Sequence, residues 1–156
     1  MADGPQDSAD AGFVDDYLLY LLAAASERAS GQFHASVREA GLRVPEWRVL
    51  ACLYDRDGAM ITELANRALM EQSRMTKVID QMDKRGLVRR TSDQTDKRRV
   101  RIELTDKGAG IAHRLVAAAK QHETGVLSKI ADTDAARIKP VLKTLLAHLE
   151  ESKGPD

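Results

Sequence analysis

Cysteine is nearly missing from this chain: Cys52 is the one thiol in 156 residues. No internal disulfide can form, and a lone thiol fits a reducing cytoplasm. Aromatic residues make up only 4%, which argues against a β-sandwich, a fold that draws on aromatic and β-branched side chains. No apolar run approaches the ~20 residues that span a bilayer. The acidic start "MADGPQDSADAG" lacks the basic lead of a signal peptide and reads as disordered. The four histidines are scattered without metal-ligand spacing, no Gly-rich phosphate loop is present, and no nucleophile stands near a base. An enzyme is therefore not expected, nor a metal or cofactor.

What is present points to helices. Hydrophobic residues reach 43%, with Leu and Ala prominent, in a chain long enough to bury one core. Formal net charge is zero, yet from Glu71 to Arg101 ten Lys and Arg face five Asp and Glu, a local excess of about +5. Such segregation fits a polyanionic partner; the plain alternative is a solvated charged face.

Periodicity places the elements. Val14, Tyr17, Leu18, Leu21, Leu22 and Ala25 predict a long helix from Phe13 to about Arg38, with Gly31 a point where it can bend. Pro45 fits the first turn of a second helix that turns Trp47, Leu50, Ala51 and Leu53 inward. "DRDGAM" reads as a loop, and Thr62 as the N-cap of a short helix over Glu63 to Leu69. Met75, Val78, Ile79 and Met82 give one buried face to a helix over about Gln72 to Arg85, closed by Gly86. "LVRRT" and the strictly alternating "RVRIEL" then form a hairpin. Thr105 caps a helix to about Ile130. Asp132 or Thr133 caps a last one, carrying Ile138, Val141, Leu142, Leu145 and Leu149, with Pro140 as a kink.

Two short helices, a tight turn and a basic hairpin make a winged helix-turn-helix, in which the second helix enters the major groove. Leu64, Ala65, Ala68, Met75 and Val78 fall where the helices touch. With the apolar face inward, Gln72, Ser73, Thr76 and Lys77 are candidates for base edges, Arg74 for a base or a phosphate, and Thr62 for the DNA backbone. Asp80 lies too far along to meet phosphate and is expected to pair with Lys77 or Lys84. The hairpin tip with Lys97, Arg98 and Arg99 can reach a narrow minor groove, and Asp96 could hold Arg98 in a bidentate pair.

The run "ITELANRALMEQSRMTKVIDQMDKRGLVRRTSDQTDKRRVRIELTDKG" resembles the core of the MarR family of bacterial transcription regulators. "ELA", "KRGLVRR", the "DKR" tip and "LTDKG" carry the likeness, and "VPEWRVL" is similar to the family's second helix. The resemblance covers roughly residues 13 to 150. It implies a mostly α fold with a small β-hairpin wing and long N- and C-terminal dimerisation helices. It also implies a homodimer reading a pseudo-palindromic double-stranded DNA operator, usually as a repressor, beside a catabolic or efflux operon. The family's wing-tip arginine falls on Arg98 and its companion aspartate on Asp96.

The expected organisation is a disordered segment 1–12, a helical dimerisation region 13–40 and 109–150, a DNA-binding region 45–108 and a disordered tail 151–156. Resemblance further implies release from DNA by a small effector, an aromatic carboxylate such as a benzoate, cinnamate or nicotinate, or a phenol. His34, Arg38, Trp47, Arg48, Arg90 and His113 are candidates to hold it, the cations for its charge and the indole for its ring. Each has a bland reading as core or surface. Cys52, inside "VLACLY", reads as core packing; the alternative is a redox-sensing regulator. A second alternative is a winged helix used only for protein contacts, which needs no basic tip.

Overall fold

Carboxylates that reach back to a backbone N–H set where two helices of this chain begin. The computed structural model describes residues 12–151. Its elements are α1 (Phe13–Asp16), α2 (Leu18–Glu39), α3 (Val44–Asp55), β1 (Ala59–Met60), α4 (Ile61–Arg67), α5 (Gln72–Lys84), β2 (Val88–Ser92), β3 (Val100–Leu104), α6 (Asp106–Ser128), a 3-10 turn (Asp134–Arg137) and α7 (Ile138–Glu151). At α3, Glu46 accepts the Arg43 N–H at 2.8 Å, with Pro45 in the first turn. At α4, Glu63 accepts the Met60 N–H at 2.8 Å. The N-cap is therefore Met60, and Thr62 sits inside the first turn rather than capping it.

Other expectations shift in similar ways. The first helix is interrupted at Tyr17, whose backbone is extended, and runs on through Gly31. "DRDGAM" holds strand β1, too short to show periodicity. Pro140, expected as a kink, is in the first turn of α7, directly after the 3-10 turn, where a missing N–H removes no intrahelical bond. The segments expected to be disordered, 1–12 and 151–156, lie outside the described residues except for Gly12, which precedes α1, and Glu151, which ends α7.

The chain divides into two compact units, residues 1–113 and 114–156. In the first, Val37, Val49, Leu50, Leu53, Leu64, Met75, Ile79, Met82, Leu87 and Ile102 are buried. An antiparallel sheet in the order β1-β3-β2 lies beside α3, α4 and α5. Its register pairs Ala59 with Ile102 and Val88 with Leu104. Gly86 takes φ +67° beyond the end of α5, and the Leu87 N–H returns to the Met82 carbonyl at 2.9 Å. Gly108 is required by contact: a Cβ there would meet the Leu87 carbonyl oxygen at 1.9 Å. The "LTDKG" turn thus seats the start of α6 directly against Leu87, the residue before β2.

In the second unit, Thr133 accepts the Ala135 N–H at 3.2 Å and so caps the 3-10 turn. Lys139 pairs with Glu123 at 2.9 Å, tying α7 to α6. No residue of α7 is buried, and Val141, Leu146 and Leu149 face solvent in this chain. Within the first unit, Phe13, Val14, Tyr17, Leu18, Leu19, Tyr20 and Leu21 are likewise exposed.

Candidate nucleic-acid interface

Helix α5 is strongly two-faced. Met75, Val78, Ile79 and Met82 are buried, while Gln72, Ser73, Arg74 and Lys77 are exposed on its first turns. Thr76 is half-buried, and its hydroxyl donates to the Gln72 carbonyl at 3.0 Å. Thr62, on the first turn of α4, is exposed. Among the described residues, neither Arg74 nor Lys77 has a carboxylate partner. Asp80 does not pair with Lys77 or Lys84; it meets the Arg90 guanidinium at the base of the wing.

The turn between α4 and α5 has no glycine. Leu69 fills its left-handed position at φ +54°, and the Met70 N–H returns to the Ala65 carbonyl at 2.9 Å. This is a helix-ending turn that glycine normally occupies. The Leu69 side chain is 85% exposed.

Charge on the hairpin is less free than its sequence suggests. Arg89 is bound by Glu103 at 2.9 Å, and the hydrogen bonds of Arg89 and Thr91 hold the Glu103 carboxyl below its ordinary range. Arg90 meets Asp80, and Arg101 meets Asp93 at 2.5 Å. Arg98 remains outward, its side chain 96% exposed. The expected bidentate pair with Asp96 is absent: Arg98 Nε stands 3.8 Å from Asp96 Oδ1, an oxygen that accepts the Arg98 backbone N–H at 3.1 Å. Asp96 also leans toward Arg99 at 3.5 Å. Lys97 is exposed and has no ion pair among the described residues. Five outward cations, Arg74, Lys77, Lys84, Lys97 and Arg98, therefore remain from the basic stretch on the two reading elements.

Sequence reasoning passed over Asp93, which is 5% exposed. Its Oδ1 accepts the Thr95 N–H at 2.7 Å, the Thr95 hydroxyl at 2.6 Å and the Asp96 N–H at 3.1 Å. Those bonds, led by the two from Thr95 and joined by Arg101, hold its carboxyl well below the usual carboxylate range. A signal was available: Asp followed two residues later by Thr in "SDQT" is the sequence of a side-chain-closed turn.

The six effector candidates do not form one group. His34 stands beside Arg48 and Arg38; burial foremost, then those two guanidinium groups, lowers its pKa. Trp47 meets the Phe33 ring edge-on at 5.1 Å, and Arg48 reaches the Ala68 carbonyl at 3.5 Å. Arg90 and His113 are engaged elsewhere, His113 against the Tyr54 ring at 5.3 Å. A groove of about 660 Å³ runs along α7, lined by Arg137, Val141 and Leu145 among others, and includes none of these candidates. Cys52 is half-buried, and burial foremost raises its thiol pKa.

An exposed helix edge braced by a second helix and flanked by a basic hairpin defines a winged helix-turn-helix transcription regulator rather than an enzyme. Known proteins agree. The model of the MarR family matches residues 42–100. The MarR family transcriptional regulator SPO1453 from Silicibacter pomeroyi DSS-3 shares 64% identity; the match covers 90% of this chain and 99% of that one, with a TM-score of 0.83. The chain belongs to the MarR family. It is also similar to the Mycobacterium tuberculosis MarR family protein Rv2887, solved in complex with p-aminosalicylic acid. That match has 25% identity over 82% of this chain and 97% of that one, with a TM-score of 0.66. The regulator TtmR of Methylorubrum extorquens is 28% identical over 65% of this chain, which spans about half, 52%, of TtmR's length. Among the described residues no helix is long and apolar enough to cross a membrane, and no side-chain cluster could hold a metal ion.

Proposed function

We propose that the chain is a cytoplasmic, effector-responsive repressor that binds a pseudo-palindromic DNA operator as a homodimer. Gln72, Ser73, Thr76 and Lys77 face base edges, Arg74 a base or phosphate, and Thr62 the backbone. Asp96, Lys97, Arg98 and Arg99 form the tip that follows the neighbouring minor groove. Residues 45–108 are the reading unit, and 13–40 with 109–150 the dimerisation region. One observation carries this reading: Arg74, Lys77 and Arg98 point outward without carboxylate partners at hydrogen-bond distance, while the other arginines of the hairpin strands are neutralised at home. Cations left open on a helix edge and a loop tip suit phosphate and groove contacts.

The decisive measurement is duplex binding across a salt series. Affinity should fall steeply with salt, and a preferred sequence should emerge by selection from random duplexes. Arg98→Ala should weaken binding to the selected duplex by about 1–3 kcal/mol. Lys77→Ala should relax base preference more than it alters the salt slope. Unchanged affinity in Arg98→Ala would remove the tip from the interface.

The effector is proposed as an aromatic acid or phenol, held by His34, Arg38, Trp47 and Arg48. Rv2887's complex with p-aminosalicylic acid supports that chemistry, as does the closeness of His34 to the Arg38 and Arg48 guanidinium groups. Benzoate, cinnamate and nicotinate titrated into the DNA complex test it, with release as the expected result. Arg90 and His113, bound to Asp80 and set against Tyr54, are less available.

A further inference from the structure

The wing loop is closed by more than its two strands. The Asp93 N–H donates to the Arg99 carbonyl at 2.9 Å, joining the ends of the loop. Within it, the Arg99 N–H donates to the Asp96 carbonyl at 2.9 Å, so Lys97 and Arg98 occupy the two central positions of a tight turn. Asp93 fills the inside of that loop through its bonds to Thr95 and Asp96. Its second oxygen accepts from Arg101 Nε, and Arg101 Nη1 donates to the Gly58 carbonyl at 2.7 Å. Gly58 immediately precedes β1. A continuous chain of bonds therefore runs from the helix-turn-helix side of the sheet, through Arg101 and Asp93, to the turn that carries Arg98.

We infer that Asp93 and Arg101 are positioning residues for DNA binding: together they form a strut that fixes where the wing presents Arg98. This rests on the DNA-binding reading above. The geometry sets two effects of Asp93 against each other. As a negative charge on a DNA-facing loop, it repels phosphate and neutralises Arg101. As a strut, it holds the Arg98 turn in one place, so that little conformational freedom remains to be lost on binding. Asp93→Asn separates the two by sign. The amide oxygen can still accept from Thr95 and Asp96, but the negative charge that pairs with Arg101 is gone. If charge dominates, removing a negative group and releasing a cation must tighten binding. If positioning dominates, binding must weaken.

The test is a double-mutant cycle on the duplex that wild-type protein selects from random sequence. Thermal melts should confirm that each variant is folded. Asp93→Asn is expected to weaken binding several-fold when Arg98 is present, and by less than about twofold in the Arg98→Ala background. A strut that acts through Arg98 has nothing left to position there. Arg101→Met should show the same loss of effect in that background, which keeps the test alive if Asp93→Asn fails to fold. Tighter binding in Asp93→Asn, or losses of equal size with and without Arg98, would overturn the inference and leave the interface intact. Failure of the wild-type protein to bind any duplex would overturn both.

Discussion

Glu46 is a carboxylate with almost no access to water, 1% exposed, placed between two arginines. Arg85, just past the end of α5, donates to both its oxygens at 2.9 and 3.0 Å and reaches the Gly41 carbonyl at 2.7 Å. Arg43 contributes its N–H at 2.8 Å and a guanidinium bond at 3.2 Å. Burial opposes the charge, but these donors outweigh it and hold the pKa below its ordinary value. A carboxyl whose pKa is lower folded than unfolded contributes its stability above the unfolded value and loses it as pH falls through the folded one. Glu46→Gln should therefore cost about 1–2 kcal/mol at pH 7. The deficit should shrink in urea melts below about pH 4, where wild type begins to lose the same interaction. A pH-independent difference would mean that packing, not charge, makes Glu46 necessary. The consequence reaches function, because this carboxylate pins the far end of the reading helix to the corner between α2 and α3.

At the scale of elements, the sequence was most readable where an apolar period repeats over several turns. Met75, Val78, Ile79 and Met82 announced the buried face of α5, and Gly86 its end, as found. Boundaries set by single side-chain bonds were less readable. Met60 has no polar side chain, so nothing at that position marks it as a cap; the signal was Glu63, three residues later. The candidate interface divided in the same way. Which residues of α5 face outward followed from periodicity, whereas the state of each wing arginine depended on cross-strand partners that no spacing rule reveals. Arg89 stands opposite Glu103 by register, whereas Arg101 stands opposite Thr91 and meets Asp93 just beyond the end of β2. The turn at Leu69 offers a direct test of local against global demands. A left-handed conformation costs a side-chain-bearing residue about 1–2 kcal/mol, partly offset in glycine by its greater freedom when unfolded. With the Leu69 side chain 85% exposed, little packing is lost on removing it. Leu69→Gly should raise stability by up to about 1 kcal/mol, read from urea melts, with no change in DNA affinity. A loss of stability would mean that the exposed leucine is covered in the assembled protein.

The whole molecule presents an imbalance that one chain alone does not resolve. Phe13 is 76% exposed and Val141 61%, and both stand among other exposed apolar residues of their own unit, uncovered by the described residues. Contiguous apolar surface of this kind marks interfaces in soluble proteins. Two copies of one reading unit also suit DNA whose half-sites repeat about one helical turn apart. If α7 and the start of the chain form the seam between copies, a carboxylate introduced there must be buried without a partner or must separate the copies. Val141→Glu should therefore shift the protein toward monomer in sedimentation velocity, while the first unit, to which Val141 does not belong, retains its helix-turn-helix. Such a monomer keeps one set of outward cations and contacts about half as many phosphates, so the slope of log affinity against log salt should fall to about half. Lowered affinity with an unchanged slope would show that the copies remain joined and that the substitution acts elsewhere. An unchanged sedimentation coefficient together with unchanged affinity would place the seam away from α7.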